Sequence, residues 1–408
     1  MGEYYSHFKR MQKLLALGKV VLLGGRDTAD SIISLEGMIH RRIDKEFLNP
    51  SDEEREIIEG IKQDNLTFAD RTIKDQRDGE IFTQIKADVR ERDLHLFHRF
   101  SDPVKSTAEL EVLLDTSKRA GANSITLYLY YVPWQRQDKK DDGRVPITAK
   151  LFFDKLTASA GHRLKRIVGF DLHARQAQGF FDGPLDELSA VPEFAAYYKH
   201  KFKDKLSLNG GSESKNLVEV ISPDAGGAKR ARYLANLLKV QYQVLDKVRT
   251  GHGEATTNFY LTHNIEGKDI ILVDDMIDSA GSVVGEYENE KNGPIQFLKS
   301  RGAKVYVCAT HGVFSEKNGI PAERRFRREG TQVLITNSFP EKYGGYYAEN
   351  NTWLTVLSLD YAFAKSFYCN QVGESMSGFI QNREKLLRAD KLNVVTDGGM
   401  VSFIPDKT

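Results

Sequence analysis

Short apolar runs rich in β-branched residues recur along the chain, each followed by a stretch with helical spacing. The runs are Lys19–Gly25, Ser124–Tyr131, Arg166–His173, Leu217–Asp224, Asp269–Asp275, Lys304–His311, Gln332–Asn337 and Trp353–Asp360. Runs that stay apolar instead of alternating predict strands covered on both faces by crossover helices. Between them, Ala228–Leu238 repeats its apolar residues at three- and four-residue spacing and predicts a helix behind Gly226-Gly227. Ser51-Asp-Glu-Glu54 matches a capping box and opens a charged helix over Asp52–Gln63 with a solvated face. The predicted class is α/β with mostly parallel central sheets flanked by helices. The strands suffice for two sheets, and the turn residues of Pro184–Pro192 mark a break. We therefore expect domains at 1–188 and 189–375 with a tail at 376–408. Asn209–Ser214 reads as a surface connection, and no repeat of solenoid period is present.

Composition narrows the classes that remain. With 58 Lys plus Arg against 57 Asp plus Glu, the chain of 408 residues has a formal charge of +1. Such a balance gives no global field for collecting nucleic acid or anionic lipid. A content of 40% hydrophobic and 28% charged residues fits a folded globular protein and excludes disorder as the main state. Two cysteines, Cys308 and Cys369, are too few for a disulfide scaffold or a cysteine-rich metal site. No apolar stretch approaches the roughly 20 residues that span a bilayer. The first residues lack the apolar core of a secretory signal, so the expected location is the cytoplasm.

Parallel sheets bind ligands beyond the carboxyl ends of their strands, and four of these strands end in reactive groups. Arg166–His173 ends in Asp171 and His173, and Leu217–Asp224 ends in Asp224 followed by Ala-Gly-Gly. Asp269–Asp275 ends in Asp274 and Asp275, then Met276-Ile-Asp-Ser-Ala-Gly-Ser282, and Lys304–His311 ends in Thr310 and His311. Two carboxylates at a strand end can hold ribose hydroxyls or magnesium-bound water. The turn behind them, with Gly281 and the Ser279 and Ser282 hydroxyls, can cradle a phosphate with backbone N–H groups.

The run ILVDDMIDSAGS resembles the motif that binds phosphoribosyl diphosphate (PRPP) in type I phosphoribosyltransferases and PRPP synthetases. The choice between them comes from Arg136-Gln-Asp-Lys-Lys-Asp, Arg144–Lys150, Asp171–Phe181, Ser222-Pro-Asp-Ala-Gly-Gly-Ala-Lys-Arg230 and Thr310-His-Gly-Val-Phe-Ser315. In order and spacing these resemble ribose-phosphate diphosphokinase, over roughly residues 120–340. The resemblance implies two phosphoribosyltransferase-like domains and transfer of the β,γ-diphosphoryl group of ATP to the C1-OH of ribose 5-phosphate. By resemblance, Arg136 and Gln137 contact the nucleotide, and His173 and Asp224 hold Mg2+. Asp274, Asp275, Asp278, Ser279, Gly281 and Ser282 form the sugar-phosphate loop. Lys247 and Arg249 are catalytic cations at the base of a lid, Thr250–Thr257. The family is oligomeric, which implies a dimer or a hexamer built from dimers.

The chain departs from the family in two respects. An acidic turn that the family lends to a neighbouring subunit's adenine is matched by Gln76-Arg-Asp-Gly-Glu80. Asp78 and Glu80 fit, but Gln76 replaces an aromatic residue, so adenine stacking is either absent or supplied by Trp134, which reads equally as a packing residue. The chain also carries extra residues before Phe68, around Lys201–Lys215, at Gly285–Pro294 and after Ser377. The third of these, beside the sugar-phosphate loop, reads first as a surface loop. Its alternative is a reshaped pocket for a 5-substituted ribose such as ADP-ribose. A non-catalytic regulatory homologue, a PRPP-consuming phosphoribosyltransferase and a nucleic-acid binder are the competing classes. The retained His173, Asp224, Lys247 and Arg249 oppose the first, the Arg136–Asp141 and Asp171–Phe181 blocks the second, and the charge balance the third.

Overall fold

The structure is a computed structural model and describes residues 2–206, 217–250, 256–285, 293–339, 353–388, 392–397 and 400–405. It divides into two units, with the first change between Leu188 and Ser189. The first unit contains α1 (Gly2–Leu17), β1 (Val20–Gly24), α2 (Ala29–Glu46), α3 (Asp52–Asp64), β2 (Arg71–Asp75) and β3 (Ile81–Ile85). It continues through β4 (Asp93–His98), α4 (Lys105–Arg119), β5 (Ser124–Leu129), α5 (Thr148–Ala160), β6 (Leu164–Phe170) and β7 (Leu185–Leu188). The sheet runs β1-β4-β5-β6-β7, all parallel, while β2 and β3 pair as a separate hairpin. Helix α3 starts with the predicted box: Ser51 Oγ accepts the Glu54 N–H at 3.1 Å, and Glu54 Oε2 accepts the Ser51 N–H at 3.1 Å.

The second unit holds α6 (Val191–Lys201), β8 (Val218–Ser222), α7 (Ala228–Leu238), β9 (Gln241–Val244), β10 (Asp246–Thr250), β11 (Thr256–Tyr260) and β12 (Asp269–Ile277). The chain then forms α8 (Gly281–Val284), α9 (Pro294–Ser300), β13 (Lys304–Gly312), β14 (Glu316–Lys317), β15 (Ile320–Pro321), α10 (Ala322–Glu329), β16 (Gln332–Thr336) and β17 (Leu354–Leu357). It ends with α11 (Asp360–Val372), α12 (Met376–Arg388), β18 (Leu392–Asp397) and β19 (Met400–Pro405). The eight-stranded sheet has the order β18-β19-β17-β16-β13-β12-β8-β9 and is parallel except where β18 meets β19. Its connectivity reverses at β8, with β9 on one side and β12 on the other, and again at the far edge, where β18 lies outside β19. The crevice beyond the carboxyl ends of β8 and β12 is therefore a topological switch point.

The sequence places residues 359–381 in the second domain and its tail, whereas in the structure Leu359–Gln381 belongs to the first unit. The cause lies in α11, whose apolar residues do not keep to one stripe and are buried around most of the helix, so that it must be covered. Phe363 meets Phe97, Tyr128, Tyr130 and Phe170 at ring-centroid distances of 4.6–6.1 Å, and Tyr130 donates to buried Asp360 at 2.7 Å. The final hairpin is equally distinct from a tail, since β19 pairs with β17 in the second unit's sheet. Strand β4, absent from the apolar runs, occupies an inner position of the first sheet with His95 and His98 buried. No helix among the described residues is long and apolar enough to cross a membrane.

Burial holds His95 and His98 neutral by pushing both imidazoles down from 6.5 to about 4. Hydrogen bonds do not reverse the effect: His95 meets Tyr128 Oη at 3.1 Å and Gln371 Oε1 at 2.9 Å, and His98 meets the Ser106 carbonyl at 2.9 Å. Between those values the unfolded chain binds more protons, so stability rises with pH across that window. Urea unfolding should show a midpoint that falls as pH is lowered from 6.5 to 4. A His95→Gln variant should flatten that slope.

Candidate active site

At the switch point, β8 ends in Ser222 and turns through Pro223-Asp-Ala-Gly-Gly227 into α7. Asp224 is exposed, and its Oδ1 accepts the Gly227 N–H at 3.1 Å, which fixes the carboxylate at the turn. A Cβ at Gly227 would lie 2.4 Å from Ser222 Oγ, so only glycine lets the turn fold back on the strand. The same missing Cβ would stand 3.7 Å from the Val273 carbonyl of β12, one residue before Asp274. The Asp224 turn and the two carboxylates of β12 are thus neighbours.

Asp274 and Asp275 have little solvent, with side chains 15% and 10% exposed. Arg230, in the first turn of α7, reaches both with Nη1 at 3.7 and 3.8 Å. Burial first, and then the adjacent Asp275 carboxylate, push Asp274 well above the ordinary carboxylate range. The chain leaves β12 through Asp278 and Ser279, both half-buried, then Ala280 with φ +64°. Left-handed backbone costs about 1–3 kcal/mol for a non-glycine residue. Gly281 and exposed Ser282 open α8, a single turn that ends at Val284. The expected phosphate cradle is therefore a strained turn in front of one helical turn, not the end of a long helix.

Lys247 and Arg249 occupy alternate positions of β10, paired with Phe259 and Thr257 of β11. Residues 251–255 of the expected lid lie outside the described residues, as do 207–216 and 286–292 of the extra segments. Glu219 of β8, fully buried, accepts Gln243 Nε2 at 2.7 Å and Lys268 Nζ at 2.8 Å and pairs with His263 Nε2 at 2.7 Å. Gln243 Oε1 in turn accepts the Thr262 N–H at 2.9 Å. One buried carboxylate thus ties the chain before β10 to the chain after β11.

In the first unit, Arg136 and Gln137 are exposed beyond β5, and His173 is exposed beyond β6. They are linked by Gln135, which is 3% exposed; its Oε1 accepts the His173 N–H at 2.9 Å and its Nε2 donates to the Val132 carbonyl at 3.1 Å. From the other side, Glu187 of β7 accepts the Leu172 N–H at 3.2 Å and Gln178 Nε2 at 2.8 Å. Trp134 at φ +66° and Asp171 at φ +35° are further strained positions at these strand ends. Trp134 is 38% exposed, and its Nε1 donates to Thr107 at 3.2 Å. Asp78 and Glu80 stand apart from this group, on the exposed turn of the β2–β3 hairpin, where Asp78 Oδ1 accepts the Glu80 N–H at 3.1 Å. The residue types suit their proposed ligands, but Gln135, Glu187 and Glu219 were not picked out by the sequence, and Arg230 stood there only as the end of a motif, with no role. All four act on distant backbone or charge, and no local spacing marks that.

The donors present also fit magnesium. Among the described residues no group of three or more His, Cys, Asp or Glu is close enough to hold a metal ion. Magnesium commonly takes one or two carboxylates and completes its shell with water and substrate phosphate. An exposed Asp224 oxygen, and a carboxylate pair whose mutual repulsion Arg230 meets only at 3.7–3.8 Å, provide hard oxygen ligands and excess negative charge.

Parallel α/β units, with a strained acidic loop at a switch point, define a phosphoribosyltransferase-like protein. A family model described as the N-terminal domain of ribose phosphate pyrophosphokinase matches residues 50–161, and one described as a phosphoribosyl transferase domain matches residues 185–310. The chain belongs to the ribose-phosphate pyrophosphokinase family. A ribose-phosphate pyrophosphokinase of Fusobacterium nucleatum is 38% identical over 71% of this chain and 83% of its own length. One of Bacillus subtilis is 37% identical over 64% of this chain and 74% of its own. The crystal structure of phosphoribosylpyrophosphate synthetase from Mycobacterium smegmatis is similar, with a TM-score of 0.65 and 29% identity. The match covers 86% of this chain and 98% of that one.

Because Asp274 is held above its ordinary value of 3.8, the folded state binds its proton more tightly than the unfolded chain, and stability is lost as pH rises above that value. Asp274→Asn should therefore raise Tm at pH 7.5 by roughly 2–4 °C. The gain should shrink towards pH 4, by scanning calorimetry across the range. The same variant should bind ribose 5-phosphate more weakly.

Proposed function

We propose that the chain transfers the β,γ-diphosphoryl group of MgATP to the C1-OH of ribose 5-phosphate, giving PRPP and AMP. The observation that carries this reading is the loop Asp274–Ser282 at the β8/β12 switch point, with two mostly buried carboxylates followed by a left-handed turn. In the proposal Asp274 and Asp275 hold the ribose hydroxyls, and the Asp278–Ser282 turn takes the 5-phosphate with amides and hydroxyls. Residues 1–188 form the nucleotide side, where Arg136 offers a fork to phosphate and Gln137 a polar contact. The second unit, which begins at Ser189, carries the ribose-phosphate loop. Asp78 and Glu80, on an exposed hairpin turn, serve the adenine of a neighbouring subunit in a homo-oligomer, dimer or hexamer. His173 of the first unit and Asp224 of the second would each offer magnesium a ligand, and the ion would supply charge neutralisation on the polyphosphate.

Diphosphoryl transfer leaves the protein little covalent work, so positioning and charge stabilisation dominate. The C1-OH attacks the β-phosphorus in line, the bond from the β-phosphorus to the α-phosphate oxygen breaks, and AMP leaves. Lys247 and Arg249 close over the transferring group and stabilise the charge that develops there. Anchoring of both hairpin roots by Glu219 confines that motion to the hairpin itself. Cys308 and Cys369 are free and buried, and with the balanced charge they suit a cytoplasmic enzyme.

Release of AMP from MgATP should be measured with ribose 5-phosphate, with ADP-ribose and with no acceptor. AMP should form with ribose 5-phosphate, and Lys247→Ala and Arg249→Ala should each lower kcat about 10²–10³-fold. A preference for ADP-ribose would replace the acceptor but keep the chemistry. No AMP with either acceptor would move the chain to a regulatory role.

A further inference from the structure

Arg325 of α10 is 3% exposed, and its guanidinium donates through Nη1 to the Ser279 carbonyl and through Nη2 to the Gly285 carbonyl. Those two carbonyls bracket the turn that contains Ala280, Gly281 and Ser282. The preceding carbonyls are held from the segment that follows β13. The Ile277 carbonyl accepts the Val313 and Phe314 N–H groups at 2.9 and 3.0 Å, and the Asp278 carbonyl accepts the Ser315 N–H at 3.1 Å. No described peptide bond is cis. In a trans peptide the N–H that follows a carbonyl points the opposite way. With the carbonyls of Ile277 and Asp278 held by the Val313–Ser315 amides and that of Ser279 by Arg325, the N–H groups of Asp278, Ser279 and Ala280 point away from those partners. Successive amides aimed in one direction, with a left-handed residue among them, form an anion-binding concavity.

We infer that Arg325 is a positioning residue for the 5-phosphate of the ribose substrate: it fixes both ends of the sugar-phosphate turn so that backbone amides meet the phosphate. This rests on the reading of Asp274–Ser282 as the sugar-phosphate loop. Arg325 touches no substrate in this scheme. Its flat fork spans two carbonyls at once, which a lysine ammonium on a flexible stem does only in part. The helix that carries it is itself held in place: Phe326 packs on Phe314 and Trp353 with ring centroids 6.2 Å apart in each pair. The Thr310–Ser315 motif acquires a role as well, as the source of the amides that hold the start of the loop.

The test is steady-state kinetics on the full chain, varying ribose 5-phosphate and MgATP separately, for Arg325→Lys, Arg325→Met, Asp278→Asn and Ser282→Ala, with thermal unfolding of each. Arg325→Met should raise KM for ribose 5-phosphate about tenfold while KM for MgATP changes less than about twofold. Arg325→Lys should fall between it and the parent, and added guanidinium should restore part of the affinity of Arg325→Met. A folded Arg325→Met or Arg325→Lys with unchanged KM for ribose 5-phosphate overturns the inference. Equal rises in both KM values, or a lowered Tm alone, also overturn it. Should Arg325→Met fail to fold, Arg325→Lys decides on the same criteria. The loop assignment fails separately, if Asp278→Asn and Ser282→Ala leave KM for ribose 5-phosphate unchanged.

Discussion

Two adjacent carboxylates at the end of a buried strand repel one another and have lost most of the water that would screen them. In β12 every residue except Asp274 is buried, so neither acid can be moved to solvent without breaking the strand. Arg230 offsets part of this repulsion from 3.7–3.8 Å. The remainder leaves Asp274 inclined to hold a proton, and leaves the crevice with a demand for hydroxyl donors or a cation. In the proposed reading, ribose hydroxyls and a magnesium-bound phosphate are the groups that would answer that demand. The strand order places the demand where the chain, having added β9 on one side of β8, turns to build the sheet on the other and the loops part.

Left-handed backbone occurs beyond the ends of β5 and β6 as well as of β12. Trp134, Asp171 and Ala280 all have positive φ, at +66°, +35° and +64°. Each costs of order 1–3 kcal/mol and persists only where its surroundings over-determine it. Around Asp171 those surroundings are Gln135, Glu187 and the Leu188 carbonyl, which accepts the Asp171 N–H at 2.9 Å. Around Ala280 they are Arg325 and the amides of Val313–Ser315. Both units thus use polar side chains behind the loop to hold a backbone shape in front of it.

Much of this was legible in the sequence because it depends on local order. Ala228–Leu238 forms a helix over the predicted residues, and the Ser51–Glu54 capping box makes both of its bonds. The acidic loop was readable from nine consecutive residues. What escaped depends on distance along the chain. Strand β4 was hidden because His95 and His98 interrupt its apolar pattern, although both are buried. The place of α11 could not be read because its apolar surface does not say which sheet it covers. Arg325 binds carbonyls 46 and 40 positions away, Gln135 an amide 38 away, and Glu219 a lysine 49 away. Each looks like an ordinary surface residue until the fold brings its partner to it.

In the proposed reaction the acidic loop presents a ribose C1-OH to the β-phosphorus of ATP. The most direct measurement is 31P NMR of the reaction of the chain with MgATP and ribose 5-phosphate. The account predicts that the ATP signals are replaced in equal amounts by AMP and by a diphosphate attached at C1 of the sugar. ADP together with a sugar bisphosphate would contradict it, since single phosphoryl transfer needs attack at the γ-phosphorus. ATP left unchanged in the presence of the sugar phosphate would contradict it as well.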